Sequence, residues 1–195
     1  MSLDHILLGM LRDPASGYDL HRAFEEGPRH FWSAELGQIY PALNRMEESG
    51  LLTSRTTPSA RGPARRVYRR TAAGTRALHR WLRGEADVGA ERLAWIGQLI
   101  FLGELRDPKQ TRRLLGELRA HFVAGQMLLR DAEQSLRADH ASVPPEQWPD
   151  DEFHELLCVR MGVHVRNARV DACDECIRLV EARARSSASG RGRRS

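Results

Sequence analysis

Lysine is almost missing from this chain: of its 30 basic residues only Lys109 is a lysine, so nearly all positive charge is carried by arginine. Arginine forks suit phosphate and guanine, but genome base composition produces the same bias, and no function is read from it. Cysteine is scarce as well. Cys158, Cys173 and Cys176 are an odd set that cannot complete a disulfide framework, which fits a reducing compartment. No apolar run approaches the ~20 residues that span a bilayer, and the amino-terminal segment has no basic front or cleavage site. The expectation is a cytoplasmic protein with no membrane partner.

Catalytic signatures are missing too. There is no glycine-rich phosphate loop and no nucleophile elbow, and the histidines have no nucleophile or carboxylate at telling spacing. A zinc site needs about four ligands within roughly 2.3 Å of one ion. Cys158 and Cys173 are fifteen residues apart on one expected helix, about 22 Å along its axis, so they cannot share an ion within a chain. Cys173 and Cys176 sit at i and i+3, a spacing open to redox sensing or to burial as small apolar groups. The expectation is no enzyme, no catalytic residue, no metal and no cofactor.

The most informative absence is local. From Leu51 to Thr71 there is no acidic residue, yet there are six arginines: Arg55, Arg61, Arg65, Arg66, Arg69 and Arg70. A turn around Arg61-Gly62-Pro63 divides this segment into two strands, LLTSRTT and ARRVYRRT, forming a hairpin with a basic tip. Clustered like charges repel unless an anion relieves them.

Just before the hairpin, Leu36, Ile39, Leu43 and Met46 follow helical spacing and mark one buried face. The opposite face carries Gly37, Gln38, Pro41, Asn44 and Arg45. Asn and Gln can pair bidentately with adenine and Arg with guanine. Gly50 stands where a left-handed helix cap belongs. A helix followed by a basic hairpin is the plan of a winged helix, whose helix enters the major groove while the wing grips the backbone. Gln38, Asn44 and Arg45 are the expected base-facing residues, beside Pro41, and Arg61, Arg65 and Arg66 the expected phosphate ligands. Tyr18 and Tyr40 have two readings, ring packing or a hydroxyl contact to phosphate. Phe24, Phe31 and Trp32 are expected in the core. Thr71 is expected to cap a helix from Ala72 to Leu82, with Leu78, Trp81 and Leu82 closing the domain.

The segments HILLGMLRDPASGYDLHRAFEE, GQIYPALNRMEESGLL and VYRRTAAGTRALHRWL together resemble the PadR family of transcriptional regulators, over roughly residues 1 to 84. The resemblance implies a winged helix-turn-helix that binds operator DNA as a dimer, usually as a repressor released by a small molecule. One departure is visible: where the family usually has Tyr-x-Leu-Thr before the Thr-x-x-Gly motif, this chain has Tyr68-Arg69-Arg70-Thr71.

Beyond a linker near Gly84–Gly89 the chain reads as almost pure helix. Arg92 to Leu105 is strongly apolar and needs cover on most sides. Asp107-Pro108 opens a long helix to about Arg137 with a heptad-like stripe of Leu115, Leu118, Phe122, Gly125, Leu129, Ala132 and Leu136. A matching stripe, Leu156, Val159, Val163, Val170, Cys173, Ile177 and Val180, marks a helix from about Asp151 to Arg185, interrupted by Arg166. The proline-rich stretch between them lets the two fold back antiparallel. Their combined apolar surface exceeds what one arm buries, and dimerisation answers that. Trp95, Leu99 and Phe101 either pack this unit or line a cavity for a small aromatic effector.

The expected architecture is therefore mainly α: a winged helix-turn-helix domain with a two-stranded β-wing over residues 1–86, an all-α dimerisation domain over 87–185, and a disordered Ser/Gly/Arg-rich tail over 186–195. The expected function is a DNA-binding regulator, a ligand-responsive repressor that reads a pseudo-palindrome on double-stranded DNA as a homodimer. The competing reading is a winged-helix protein-interaction or ligand-sensing module that binds no operator.

Overall fold

A computed structural model describes residues 2–26, 35–59, 62–86 and 93–191. The chain divides into two compact units, Met1–Gly89 and Ala90–Ser195.

The amino-terminal unit holds helices α1 (Ser2–Met10), α2 (Gly17–Glu26), α3 (Leu36–Glu48) and α4 (Ala72–Leu82), with strands β1 (Ala15–Ser16), β2 (Leu52–Ser59) and β3 (Gly62–Arg70). The wing is an antiparallel hairpin in which Leu52 faces Arg70 and Thr56 faces Arg66. A third strand of two residues, not expected from the sequence, pairs Ser16 with Val67 to give the order β1-β3-β2. Two residues are too few to display a period, so only the folded register reveals it.

Helical spacing puts Leu7, Leu8, Leu11, Leu20, Phe24, Ile39, Leu43 and Met46 into one core with Leu52 and Tyr68 from the wing. Phe31 and Trp32 lie outside the described residues. Gly50, at φ 73°, turns the chain from α3 into β2, in the left-handed region where glycine carries no penalty. Thr71 caps α4 by accepting a hydrogen bond from the Gly74 N–H (3.1 Å), and its hydroxyl also lies 2.8 Å from the Gly50 carbonyl. Gly74 is required by packing, because a Cβ there would lie 2.3 Å from the Leu51 carbonyl oxygen. Of the residues expected to close this unit, Leu78 is buried, but Leu82 is exposed and Trp81 instead stacks on His5 at 5.0 Å. Positions 81 and 82 share the face of Leu78 one turn on, but Leu82 is the last residue of α4.

Arg70, the departure from the family pattern, donates to the Leu8 carbonyl at 2.7 Å. That carbonyl belongs to the last turn of α1, which has no basic residue of its own. The guanidinium thus satisfies an orphan helix-end acceptor and sits at the negative pole of the helix dipole.

The second unit holds α5 (Ala94–Phe101), α6 (Pro108–Asp139) and α7 (Asp150–Arg191), with 3₁₀ turns at Leu102–Leu105 and Pro145–Gln147. Asp107 caps α6 by accepting from the Lys109 N–H at 2.9 Å. Leu115, Phe122 and Leu129 are buried at seven-residue intervals along α6, against Leu156, Val159, Val163, Val170 and Cys173 of α7. Ion pairs Arg112–Glu181, Arg119–Asp174 and Arg160–Glu133 run antiparallel along the hairpin. Arg166, the polar break in the α7 stripe, lies where α6 has Gly125: a Cβ at 125 would meet the guanidinium at 3.1 Å. At the bend, Trp148 is buried, donates to the Val143 carbonyl at 2.9 Å and stacks on His140.

One expectation for this unit is corrected. Helix α7 does not stop at Arg185 but runs to Arg191. Adding a residue to an existing helix forms a hydrogen bond without a new nucleus, and no proline halts Ser186–Arg191; residues 192–195 lie outside the description. The apolar helix α5, expected to carry more apolar surface than one arm can cover, has no buried residue, and Ile100, Phe101 and Leu105 are all more than 60% exposed within the single chain.

Candidate nucleic-acid interface

Helix α3 buries Ile39, Ala42, Leu43 and Met46 and exposes Gly37, Gln38, Tyr40, Pro41, Asn44 and Arg45. The polar face expected from the sequence is therefore one continuous exposed surface. Several of its side chains are already engaged. Gln38 closes a capping box at the start of the helix, its amide oxygen accepting from the Glu35 N–H at 3.2 Å. Arg45 donates to Asp4 of α1 at 3.0 Å. The Tyr40 ring lies against the backbone of Gly17, where a Cβ would approach it to 2.5 Å, while Tyr18 stands 57% exposed.

The start of α2 is held by a reciprocal cap. Asp19 accepts from the Ser16 hydroxyl at 2.7 Å and from the Ser16 N–H at 3.1 Å, and its own N–H donates to the Ser16 hydroxyl. The Ser16 hydroxyl, its backbone N–H and the nearby Arg65 and Arg22 hold the Asp19 carboxyl below the usual carboxylate range, against some burial. Arg65 reaches Asp19 only at 4.0 Å and is 60% exposed, so most of its donors remain available.

The wing sorts its arginines by face. Alternate residues of a strand point to opposite sides, and Tyr68 is buried on the core side, so Arg66 and Arg70 share its side and Arg65 and Arg69 take the other. Directly opposed residues of an antiparallel pair share a face; Arg55, opposite Val67, therefore joins Arg65 and Arg69. Among the described residues no carboxylate pairs with Arg55 or Arg69. Arg61 lies outside the described residues.

Arg66 was expected to hold phosphate, and the structure puts it to another use. Its guanidinium donates to the Ser54 hydroxyl at 2.8 Å, to the Asn44 amide oxygen at 3.3 Å and to the Glu47 carboxylate, and lies 5.3 Å from the Tyr68 ring centroid. Ser54 in turn donates to Glu47 at 2.7 Å. Three side chains thus converge on the guanidinium, and α3 is tied to both strands of the wing. The signal was present in the sequence: Arg66 stands two residues from the core Tyr68, the period that assigns it to the inner face.

The expected effector residues are not brought together. Trp95, partly buried, packs edge-on against Phe122 of the second unit's core at 5.8 Å. Phe101 instead lines an open groove of about 550 Å³ with Gln98, Leu105, Gln110 and Arg113, and neither Trp95 nor Leu99 borders it. Six residues of helix rotate Phe101 well away from the Trp95 face. Cys173 is buried and its thiol is pushed up by that burial, the reverse of the lowered thiol typical of reactive cysteines. Among the described residues no cluster of His, Cys, Asp and Glu is arranged to hold a metal, and no helix is long and apolar enough to cross a membrane.

Comparison with known proteins bears on this surface. Residues 6–80 match the model of the transcriptional regulator PadR-like family. A transcriptional regulator of Mycobacterium tuberculosis is 38% identical over 81 residues, 40% of this chain and 75% of that protein. The chain belongs to the PadR-like family of transcriptional regulators. The negative transcriptional regulator PadR of Bacillus subtilis is 40% identical over 81 residues, a match that spans 41% of this chain and 44% of that protein. The crystal structure of Bacillus subtilis PadR in complex with operator DNA superposes with a TM-score of 0.75 at 25% identity, covering 92% of this chain and 99% of that one. This PadR-like chain therefore shares the winged-helix plan together with the helical carboxy-terminal segment.

Proposed function

We propose that this protein is an operator-binding regulator of the PadR type, working in the cytoplasm as a homodimer and most simply as a repressor. The observation that carries the reading is the hydrogen-bonded seam from Asn44 through Arg66 to Ser54 and Glu47, which makes the recognition helix and the wing one surface. On that surface Asn44 faces base edges, with Pro41, Arg45 and the free amide nitrogen of Gln38 beside it. Arg55, Arg65 and Arg69 hold the phosphate backbone, and the exposed Tyr18 and Tyr40 contact it through their hydroxyls. The operator complex of the Bacillus subtilis relative supports the assignment of DNA as partner. A dimer follows from the uncovered face of α5, and its two-fold symmetry calls for half-sites about 34 Å apart. A small aromatic effector acting on the second unit remains part of the proposal, with Phe101 at the open groove as its contact.

The test is an anisotropy titration against the duplex upstream of the protein's own gene and against random duplex, at several salt concentrations. Specific binding with a steep salt slope is expected. Asn44→Ala should lose about 1–3 kcal/mol of preference at one base pair, whereas Arg65→Ala should weaken all sequences alike. Equal affinity for both duplexes in the wild-type protein would favour an interaction or sensing module instead.

A further inference from the structure

The Arg66 cluster places a positive charge, a carboxylate and a base-facing amide in direct contact, and their chemistry is directional. A guanidinium has five donors and no acceptor, so the Asn44 amide beside it must turn its oxygen inward. Its Nδ2 donors then point away from Arg66, on an exposed side chain. The Arg66 charge is met by Glu47 and its Nε donor by Ser54. Arg66 cannot swing toward a phosphate without leaving Glu47 unpaired.

We infer that Arg66, clamped by Glu47 and Ser54, is a positioning residue that fixes the Asn44 amide with its oxygen toward the wing and its Nδ2 donors toward the acceptors on a base edge. Arg66 occupies one of the two acceptor positions of the amide oxygen and so selects one of the two flips of the Asn44 amide, which sets where its donors stand relative to a base edge. Base preference at one operator position is therefore set partly from the wing, by a residue that touches neither base nor phosphate. This rests on the operator-binding reading above.

The experiment selects preferred sequences from a library of randomised duplexes with the full-length protein, then measures affinity and salt slope on the selected duplex and its single-base variants. Wild-type protein should enrich one base at the position that loses its preference in Asn44→Ala. Arg66→Ala should flatten the same position, by about 2- to 10-fold, the range of one hydrogen bond, while the salt slope stays unchanged. The Asn44→Ala/Arg66→Ala double variant should match Asn44→Ala in its preference profile. Glu47→Gln keeps the shape but releases the cation. It should flatten that position, tighten binding to random duplex and steepen the salt slope by about one phosphate, which provides a reading even if Arg66→Ala fails to fold. An Arg66→Ala variant that keeps the wild-type preference at the Asn44 position, or one that binds every sequence more weakly with a slope reduced by about one, would overturn the inference. Failure of the wild-type protein to enrich any sequence would instead overturn the operator reading itself.

Discussion

The two units of this chain treat their apolar residues in opposite ways. The amino-terminal unit closes a core of its own: Leu7, Ile39, Ala42 and Leu43 have no exposed surface, and what it leaves outside on α3 and the outer wing is mostly polar or basic. The carboxy-terminal unit buries a single seam between α6 and α7 and leaves Ile100, Phe101, Leu105, Met127, Met161 and Leu179 more than half exposed. A unit that closes on itself can devote its surface to a polar partner. A unit with a bare apolar flank suits an apolar partner, and the proposed dimer would supply one in a second copy.

The sharpest way to break this contrast is one deletion on each side. Leu43→Ala should cost about 2–5 kcal/mol in urea denaturation, because the cavity it leaves in a closed core cannot collapse fully. Ile100→Ala, 68% exposed, should leave the unfolding of the monomer within about 0.5 kcal/mol. Similar losses at low protein concentration would mean that the two surfaces are not different in kind. Next in size, Gly74→Ala forces a methyl group onto the Leu51 carbonyl at 2.3 Å and should lower stability by about 1–3 kcal/mol, read from the same denaturation curves; an unchanged midpoint would remove the packing reason for this glycine. Phe101→Asp should weaken self-association at least about tenfold in sedimentation equilibrium, a change of about 1.4 kcal/mol, without altering helix content. A wild-type protein that stays monomeric at all concentrations would refute the dimer.

The smallest effect concerns pH. The Asp19 carboxyl, held low by the Ser16 hydroxyl first of all, contributes stability that is fully present above the unfolded value of about 3.9 and is lost as pH falls through its lower folded value. The difference in urea midpoint between wild type and Asp19→Asn should be present at pH 7 and shrink toward about pH 3. A difference that grows on acidification would contradict the cap.

Much of the candidate site was legible because it rests on short periods and local chemistry. The buried and exposed faces of α3, the glycine cap at Gly50 and the Thr71 cap on α4 follow from spacing within one element. The allocation of the wing arginines was half legible: strand alternation from Tyr68 separates Arg66 from Arg65, but composition alone counts six equal charges. The capture of Arg45 by Asp4, forty-one positions away, had no local signal.

Sequence alone determined the family, the order of the elements, the basic hairpin and the two matched heptad stripes, because each is written in residues that neighbour one another along the chain. Tertiary structure decided which arginines are committed within the fold: Arg70 went to the end of α1, Arg66 to Glu47 and Ser54, and Arg55, Arg65 and Arg69 to the outer face of the wing. The physical reason is that a guanidinium binds whichever acceptor folding brings within about 3 Å, and that acceptor usually comes from a distant part of the chain.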